Sequence, residues 1–253
     1  MLTFVGLGLW DEQSVTAAGE AAIGAADRVF AEFYTSRLGG ASVADLERYH
    51  GIEFEVRDRA GVEEDPAPIL DAAETGAAVF CTAGDTMIAT THIDLRLRAQ
   101  ERGIETRVIH GTTAASAAAS LTGLQNYRFG KATTLPFQYG SSSVPQSVVD
   151  TIHANKDRGL HTLVFLDIKA AEDRFMTADT AAGLLADPLE NELAIAVCRA
   201  GSPSSAIVAG HLDALAERTF GDPLHLLVIP GELHHLEQEA VSRLRDDQDA
   251  VTE

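Results

Sequence analysis

Residues 1–14 read MLTFVGLGLWDEQS, and the run from Leu2 to Leu9 decides the fold class. Eight uncharged residues rich in Leu, Phe and Val are far too short to span a bilayer and read as a buried strand. Gly6 and Gly8 sit at its end. There a missing side chain either lets a ligand approach the backbone or serves a tight strand-to-helix turn. A dinucleotide fingerprint needs a third glycine three positions after the second, and Asp11 stands there, so a nicotinamide cofactor is not the first choice.

Outward from this strand the same texture repeats: short apolar runs bounded by Gly, Pro or Asp alternate with helix-period stretches, as in an α/β protein. Ser14 can cap a helix running to Ala26. Further strands are expected at 28–33, 52–56, 77–82 and 105–109, and a helix at 90–102 stopped by Gly103. After about residue 110 an alanine-rich helix over 113–121 leads into the polar segment FGKATTLPFQYGSSSVPQS (129–147). A second α/β unit follows, with strands near 163–168, 193–198, 206–209 and 226–229 and a last helix after Gly231. This gives two α/β domains, 1–110 and 111–253, without an internal repeat, and RDDQDAVTE (245–253) reads as a frayed acidic tail.

With 253 residues and 45% apolar content the chain can bury a sizeable core. Thirty-eight acidic residues face 19 basic ones, a net charge of −19, and only Lys131, Lys156 and Lys169 are lysines. Such a surface repels phosphate backbones and argues against a nucleic-acid substrate. Many carboxylates, few lysines and abundant alanine suit a protein kept soluble in concentrated salt, which points to a haloarchaeal source. Neither a membrane span nor a signal peptide is indicated, so the expected location is the cytoplasm. Cys81 and Cys198 each lie in an apolar run and read as free buried thiols.

Two further turns follow apolar strands. TAGDTMIATTH (82–92) places Gly84 and Asp85 where open α/β sheets bind ligands; Asp85 either accepts hydrogen bonds from a ligand or caps the next helix. VIHGTTAAS (108–116) places Thr112 and Thr113 at a helix start, as simple N-caps or as part of an N–H cluster that meets a ligand. His110 reads as locally satisfied, since no serine or cysteine nucleophile motif accompanies it. His234 and His235 diverge by about 100° on a helix and make a poor chelate, so no metal is expected. HExxH, P-loop and GxSxG motifs are absent from the sequence.

The segments FVGLGLWDE, FAEFYTS (30–36), TAGDTMIATTHIDLRLRA (82–99), VIHGTTAAS, LTGLQNYRFGKA (121–132), GLHTLVFLDIKA (159–170), CRAGS (198–202) and FGDPLHLLVIPGELHHLE (220–237) occur in the order in which the diphthine synthase family carries its own. The chain resembles that family, a branch of the tetrapyrrole methylase-like superfamily, along nearly its whole length. The resemblance implies two α/β domains of that type, S-adenosyl-L-methionine held between them, and a homodimer. It implies cofactor contacts at Leu9, Asp85, Ile88, Thr113, Ala114, Leu166, Ala200 and His225, chiefly through backbone groups and shape. It also implies a substrate: the amino group of a 3-amino-3-carboxypropyl histidine on elongation factor 2, trimethylated to diphthine in diphthamide biosynthesis. No catalytic residue is assigned by it. The competing readings are a superfamily methyltransferase acting on a corrinoid precursor or ribosomal RNA, and a cofactor-binding subunit without turnover.

Overall fold

The computed structural model describes residues 1–137 and 144–246; the acidic tail from 247 and part of the polar segment, 138–143, lie outside them. The chain forms two compact units, one of Met1–Ala114 with Ala170–Asp173, the other of Ala115–Lys169 with Arg174–Glu253.

In the first unit the elements run β1 (Leu2–Gly6), α1 (Ala17–Gly24), β2 (Arg28–Glu32), α2 (Val43–His50), β3 (Phe54–Val56), α3 (Arg59–Glu63), α4 (Ala67–Thr75), β4 (Ala78–Thr82), α5 (Ile93–Glu101) and β5 (Thr106–Ile109). The five strands make one parallel sheet in the order β3-β2-β4-β1-β5. Strand side chains alternate between faces. Leu2, Phe4, Phe30, Ala78 and Phe80 therefore pack with Ile69 and Leu70 of α4 and Leu95 and Ala99 of α5. On the opposite face Val5, Val29, Ala31, Val79, Cys81 and Ile109 pack with Ile23 and Leu46 of α1 and α2. Covering both faces is what makes the strand runs continuously apolar.

Several expected boundaries move. The first strand ends at Gly6, because Gly8 takes a left-handed φ of +82° and the chain turns out of the ladder. Ser14 does not cap α1. Its hydroxyl accepts the N–H groups of Trp10 (3.2 Å) and Asp11 (3.1 Å) and donates to the Asp11 carboxylate, so Thr16, which accepts from Gly19 N–H at 3.2 Å, becomes the cap. The helix expected over 90–102 starts at Ile93, and Gly103 at φ +73° ends it as expected.

The second unit runs α6 (Ala114–Thr122, whose first residue is counted with the first unit), β6 (Thr133–Leu135), α7 (Gln146–Lys156), β7 (Thr162–Leu166), β8 (Ile168–Lys169), β9 (Arg174–Phe175), α8 (Ala178–Ala186), β10 (Leu193–Cys198), β11 (Ala206–His211), α9 (Leu212–Ala216), β12 (His225–Ile229) and α10 (His235–Asp246). Its sheet is mixed, in the order β11-β10-β12-β7-β6, and among the described residues only the β6–β7 pair is parallel. Alternate residues Val164, Leu166, Ala194, Ala196, Cys198, Leu227 and Ile229 bury against α7, α8 and α9. Among the described residues no helix is long and apolar enough to cross a membrane.

At the start of α10 lies a buried ionic knot. The fully buried Glu237 carboxylate accepts the N–H groups of Gln125 (2.9 Å) and His234 (2.8 Å), Arg128 Nη1 (3.2 Å) and His161 Nε2 (3.1 Å). His161 Nδ1 accepts Gly231 N–H at 3.0 Å, which fixes the ring proton on Nε2. Burial opposes ionisation of Glu237, but these donors hold its pKa below the ordinary carboxylate value, while burial first of all lowers that of His161. Both groups favour their deprotonated forms in the fold. Their contribution is thus present above the unfolded histidine value of about 6.5 and is lost as pH falls through the lower folded value.

Glu237→Ala is expected to cost about 3–5 kcal/mol in denaturant unfolding, because it strands buried donors. Acidification should lower the melting temperature of the wild type, and His161→Gln, which keeps a donor where Nε2 stood but cannot take up a proton, should flatten that fall.

Candidate active site

All strands of the first sheet point the same way, so Gly6, Glu32, Thr82 and Ile109 end on one edge, with Gly6 and Glu32 both in register with Thr82. The helices after β1 and β4 lie on opposite faces, since α1 buries Ile23 with one core and α5 buries Leu95 with the other. Neighbouring strands whose connections diverge in this way open a crevice at their carboxyl ends, where such sheets bind ligands.

Three glycines shape that edge. A Cβ on Gly6 would lie 2.5 Å from both the Gly111 nitrogen and the Gly84 oxygen, and one on Gly111 would lie 2.7 Å from the Gly6 oxygen and closer still to that of Gly84. The loops after β1, β4 and β5 therefore meet backbone to backbone. Gly8 and Gly84 add a reciprocal pair of bonds, Gly84 N–H to Gly8 C=O at 2.7 Å and the reverse at 3.2 Å. Above this crossing the space is open: a Cβ on Gly84, at φ +76°, would have as nearest neighbours Thr113 Cα and Oγ1, both at 4.0 Å.

Asp85, next in the chain, is buried, but it does not cap α5, whose N-cap position is His92. The chain makes another turn first: Asp85 Oδ1 accepts Met87 N–H at 2.9 Å, and Ile88 N–H reaches Asp85 C=O at 3.3 Å. Asp85 Oδ2 instead meets His110 Nδ1 at 2.8 Å. The locally satisfied reading of His110 is thus corrected: its partner lies 25 residues away and its ring is 75% exposed.

Of the residues singled out from the sequence, Leu9, Asp85, Ile88, Thr113 and Ala114 follow β1, β4 and β5 on this edge, and Ile88 is largely exposed. In the second unit Leu166 ends β7 and His225 begins β12. The Leu226–Phe165 pair sets these two next to each other. Ala200 lies two residues beyond Cys198, which pairs with His225, so the three gather at one end of that sheet. The His225 ring is fully used: Nδ1 accepts Ala178 N–H at 3.2 Å, Nε2–H donates to Asp222 C=O at 2.8 Å, and burial lowers its pKa. The ring has no nitrogen left for a further partner.

The sequence reading did not single out Glu32, in FAEFYTS, as a functional residue. Fully buried, it accepts the N–H groups of Tyr34 and Thr35, both at 3.0 Å, and the Thr35 hydroxyl. Its oxygen lies 3.5 Å from His92 Nε2, and His92 Nδ1–H donates to Thr86 C=O at 3.1 Å. Burial raises the Glu32 pKa and lowers that of His92. With the His92 proton on Nδ1, Nε2 accepts from the Tyr34 hydroxyl at 3.5 Å, and this bond ties the loop after β2 to the loop after β4. A lone Glu in a strand-like run was its one sequence signal. Among the described residues no cluster of His, Cys, Asp or Glu could hold a metal ion.

A parallel sheet carrying glycine turns at its strand ends, followed by a mixed-sheet unit, defines a recognisable class. Residues 1–216 match the family model of the Tetrapyrrole (Corrin/Porphyrin) Methylases. The diphthine synthase of Halorubrum lacusprofundi is 66% identical over 252 residues, covering 95% of each chain. That of Halobacterium salinarum is 64% identical, covering 96% of this chain and 97% of its own. A crystal structure of diphthine synthase superposes with a TM-score of 0.90 at 35% identity, covering 97% of this chain and 96% of that one. The putative diphthine synthase of Entamoeba histolytica superposes at 0.86 with 32% identity, covering 97% and 98%. The chain belongs to the diphthine synthase family, within the tetrapyrrole methylases.

Gly111→Ala is expected to destabilise the first unit far more than Gly84→Ala. The former drives a methyl into the Gly84 carbonyl; the latter faces open space and carries only the left-handed backbone cost of about 1–2 kcal/mol. Melting temperatures of the two variants, compared with wild type, check the order.

Proposed function

We propose that the chain is an S-adenosyl-L-methionine-dependent methyltransferase that trimethylates the amino group of the 3-amino-3-carboxypropyl histidine on elongation factor 2, giving diphthine. Family membership over nearly the full chain supports this reading. The structural observation that carries it is the open space over Gly84, facing Thr113, at the carboxyl edge of a parallel sheet. A side chain at residue 84 would fill that space, and glycine leaves it to a ligand.

The cofactor supplies an electrophilic methyl on a sulfonium that departs as a neutral thioether. The chain's residues have to bind and orient. Ile88 and Leu9 offer apolar contact, Asp85 a buried carboxylate, and Thr113 and Ala114 the backbone that leads into α6. From the family resemblance we also assign cofactor contacts to Leu166, Ala200 and His225, the last through its backbone. Holding amine and methyl in near-attack geometry can contribute on the order of 7–11 kcal/mol. We take the working form to be a cytoplasmic homodimer, with elongation factor 2 as its protein substrate.

Incubation with methyl-labelled S-adenosyl-L-methionine and elongation factor 2 bearing the precursor side chain should label that factor at one histidine. Label passing to a corrinoid precursor or to RNA instead, or binding of S-adenosylhomocysteine with no transfer, would replace this reading with one of its competitors.

A further inference from the structure

We propose that His110 is the general base of the reaction, taking the proton from the substrate amine, with Asp85 as the residue that orients its ring. This rests on the methyltransferase reading above. Methyl transfer needs a nitrogen lone pair, and an aliphatic ammonium near neutral pH has none free, so the chain must accept a proton before each transfer.

The geometry assigns that task to His110. Its Nδ1 lies 2.8 Å from Asp85 Oδ2, and a carboxylate only accepts, so in the neutral ring the proton sits on Nδ1 and the lone pair on Nε2. Asp85 is 4% exposed and its other oxygen is held by Met87 N–H, which leaves the carboxylate one orientation. The imidazole is 75% exposed, and Nε2 has no hydrogen-bond partner among the described residues. A buried carboxylate behind an exposed, tautomer-fixed imidazole is the orienter-and-base arrangement of general-base catalysis.

The pair is also built into the right turns. Asp85 follows Gly84 and His110 precedes Gly111, the two glycines locked backbone to backbone, and Thr113 is three residues further on. Asp85 is the charged group bonded to the ring; the loop after β1 meets this crossing through Gly6 backbone. The other imidazoles of interest cannot serve. His92, His161 and His225 are buried and have both ring nitrogens engaged. Glu32 is buried beneath its own three donors.

The step balances. An N–H bond of the substrate ammonium breaks and its proton moves to Nε2, giving an imidazolium that faces the Asp85 carboxylate. The freed nitrogen lone pair forms the N–CH₃ bond as the S–CH₃ electron pair stays on sulfur. His110 then returns its proton to water, and the cycle repeats until the nitrogen is quaternary and has no proton left to lose.

The test compares full-length wild type and His110→Ala for transfer to precursor-bearing elongation factor 2 across pH, alongside S-adenosylhomocysteine affinity by calorimetry. The variant should lose about 10²-fold or more in kcat near pH 7. The deficit should shrink as rising pH frees the amine unaided, and added imidazole should restore part of the rate. Affinity for S-adenosylhomocysteine should stay within about twofold of wild type. Asp85→Asn should lower kcat in the same direction with the fold intact by circular dichroism. Retention of most of the wild-type kcat by His110→Ala overturns the proposal. So does a loss that tracks weakened S-adenosylhomocysteine binding, or one that is constant across pH. Failure of the wild type itself to transfer would instead sink the functional reading, and this assignment with it.

Discussion

The first unit depends on three strand exits crossing where two of them, at Gly6 and Gly111, have no room for a side chain. A Cβ at either would run into the backbone of the neighbouring exits, the Gly84 carbonyl included, while Gly8 and Gly84 exchange N–H and C=O bonds beside them. Register follows from that contact, because the parallel ladders have to deliver all three strand ends to one level. The Asp85 turn and the His110 ring lie directly beyond the crossing. Hydrophobic burial makes the sheet, but the glycines decide how its loops are aimed.

A second theme is the use of buried carboxylates as joints. Glu32 holds the loop after β2 through Tyr34 and Thr35, and Glu237 binds Gln125, Arg128, His161 and His234 into one knot. Each collects enough donors to offset much of the cost of leaving water. Asp85 differs in kind, since one of its partners is an exposed ring rather than another buried group.

The strands were readable because burial on both faces leaves a continuous apolar run, as in Leu2–Gly6 and Ala78–Thr82. Their ends were read too long where a glycine or a turn ended the ladder, as after Gly6. A helix between the strands at 28–33 and 52–56 is expected from the alternation, but its bounds at Val43–His50 are not legible beyond the capping box of Ser42 and Asp45, because Leu46 is its one buried residue and the apolar signal is faint. The turns of the site stand out in the sequence as glycine-bearing strand ends. What joins them does not. Asp85 looks like a helix cap from its neighbours, and only the β4-β1-β5 order brings His110, 25 residues on, against its carboxylate. The Glu32–His92 and Glu237–His161 pairs span still longer stretches of chain and leave no local pattern.

The division of carboxylates between surface and interior has a consequence for life in brine. At about 1 M salt the screening length is roughly 3 Å, so the many exposed acids scarcely sense one another or the few cations around them. Arg48–Asp45 and Arg243–Glu239, lying in open solvent, lose most of their attraction there. Glu32 and Glu237 are buried, and their bonds are screened far less. The skin of the molecule answers to the ionic medium, while the bonds that hold its loops in place are insulated from it.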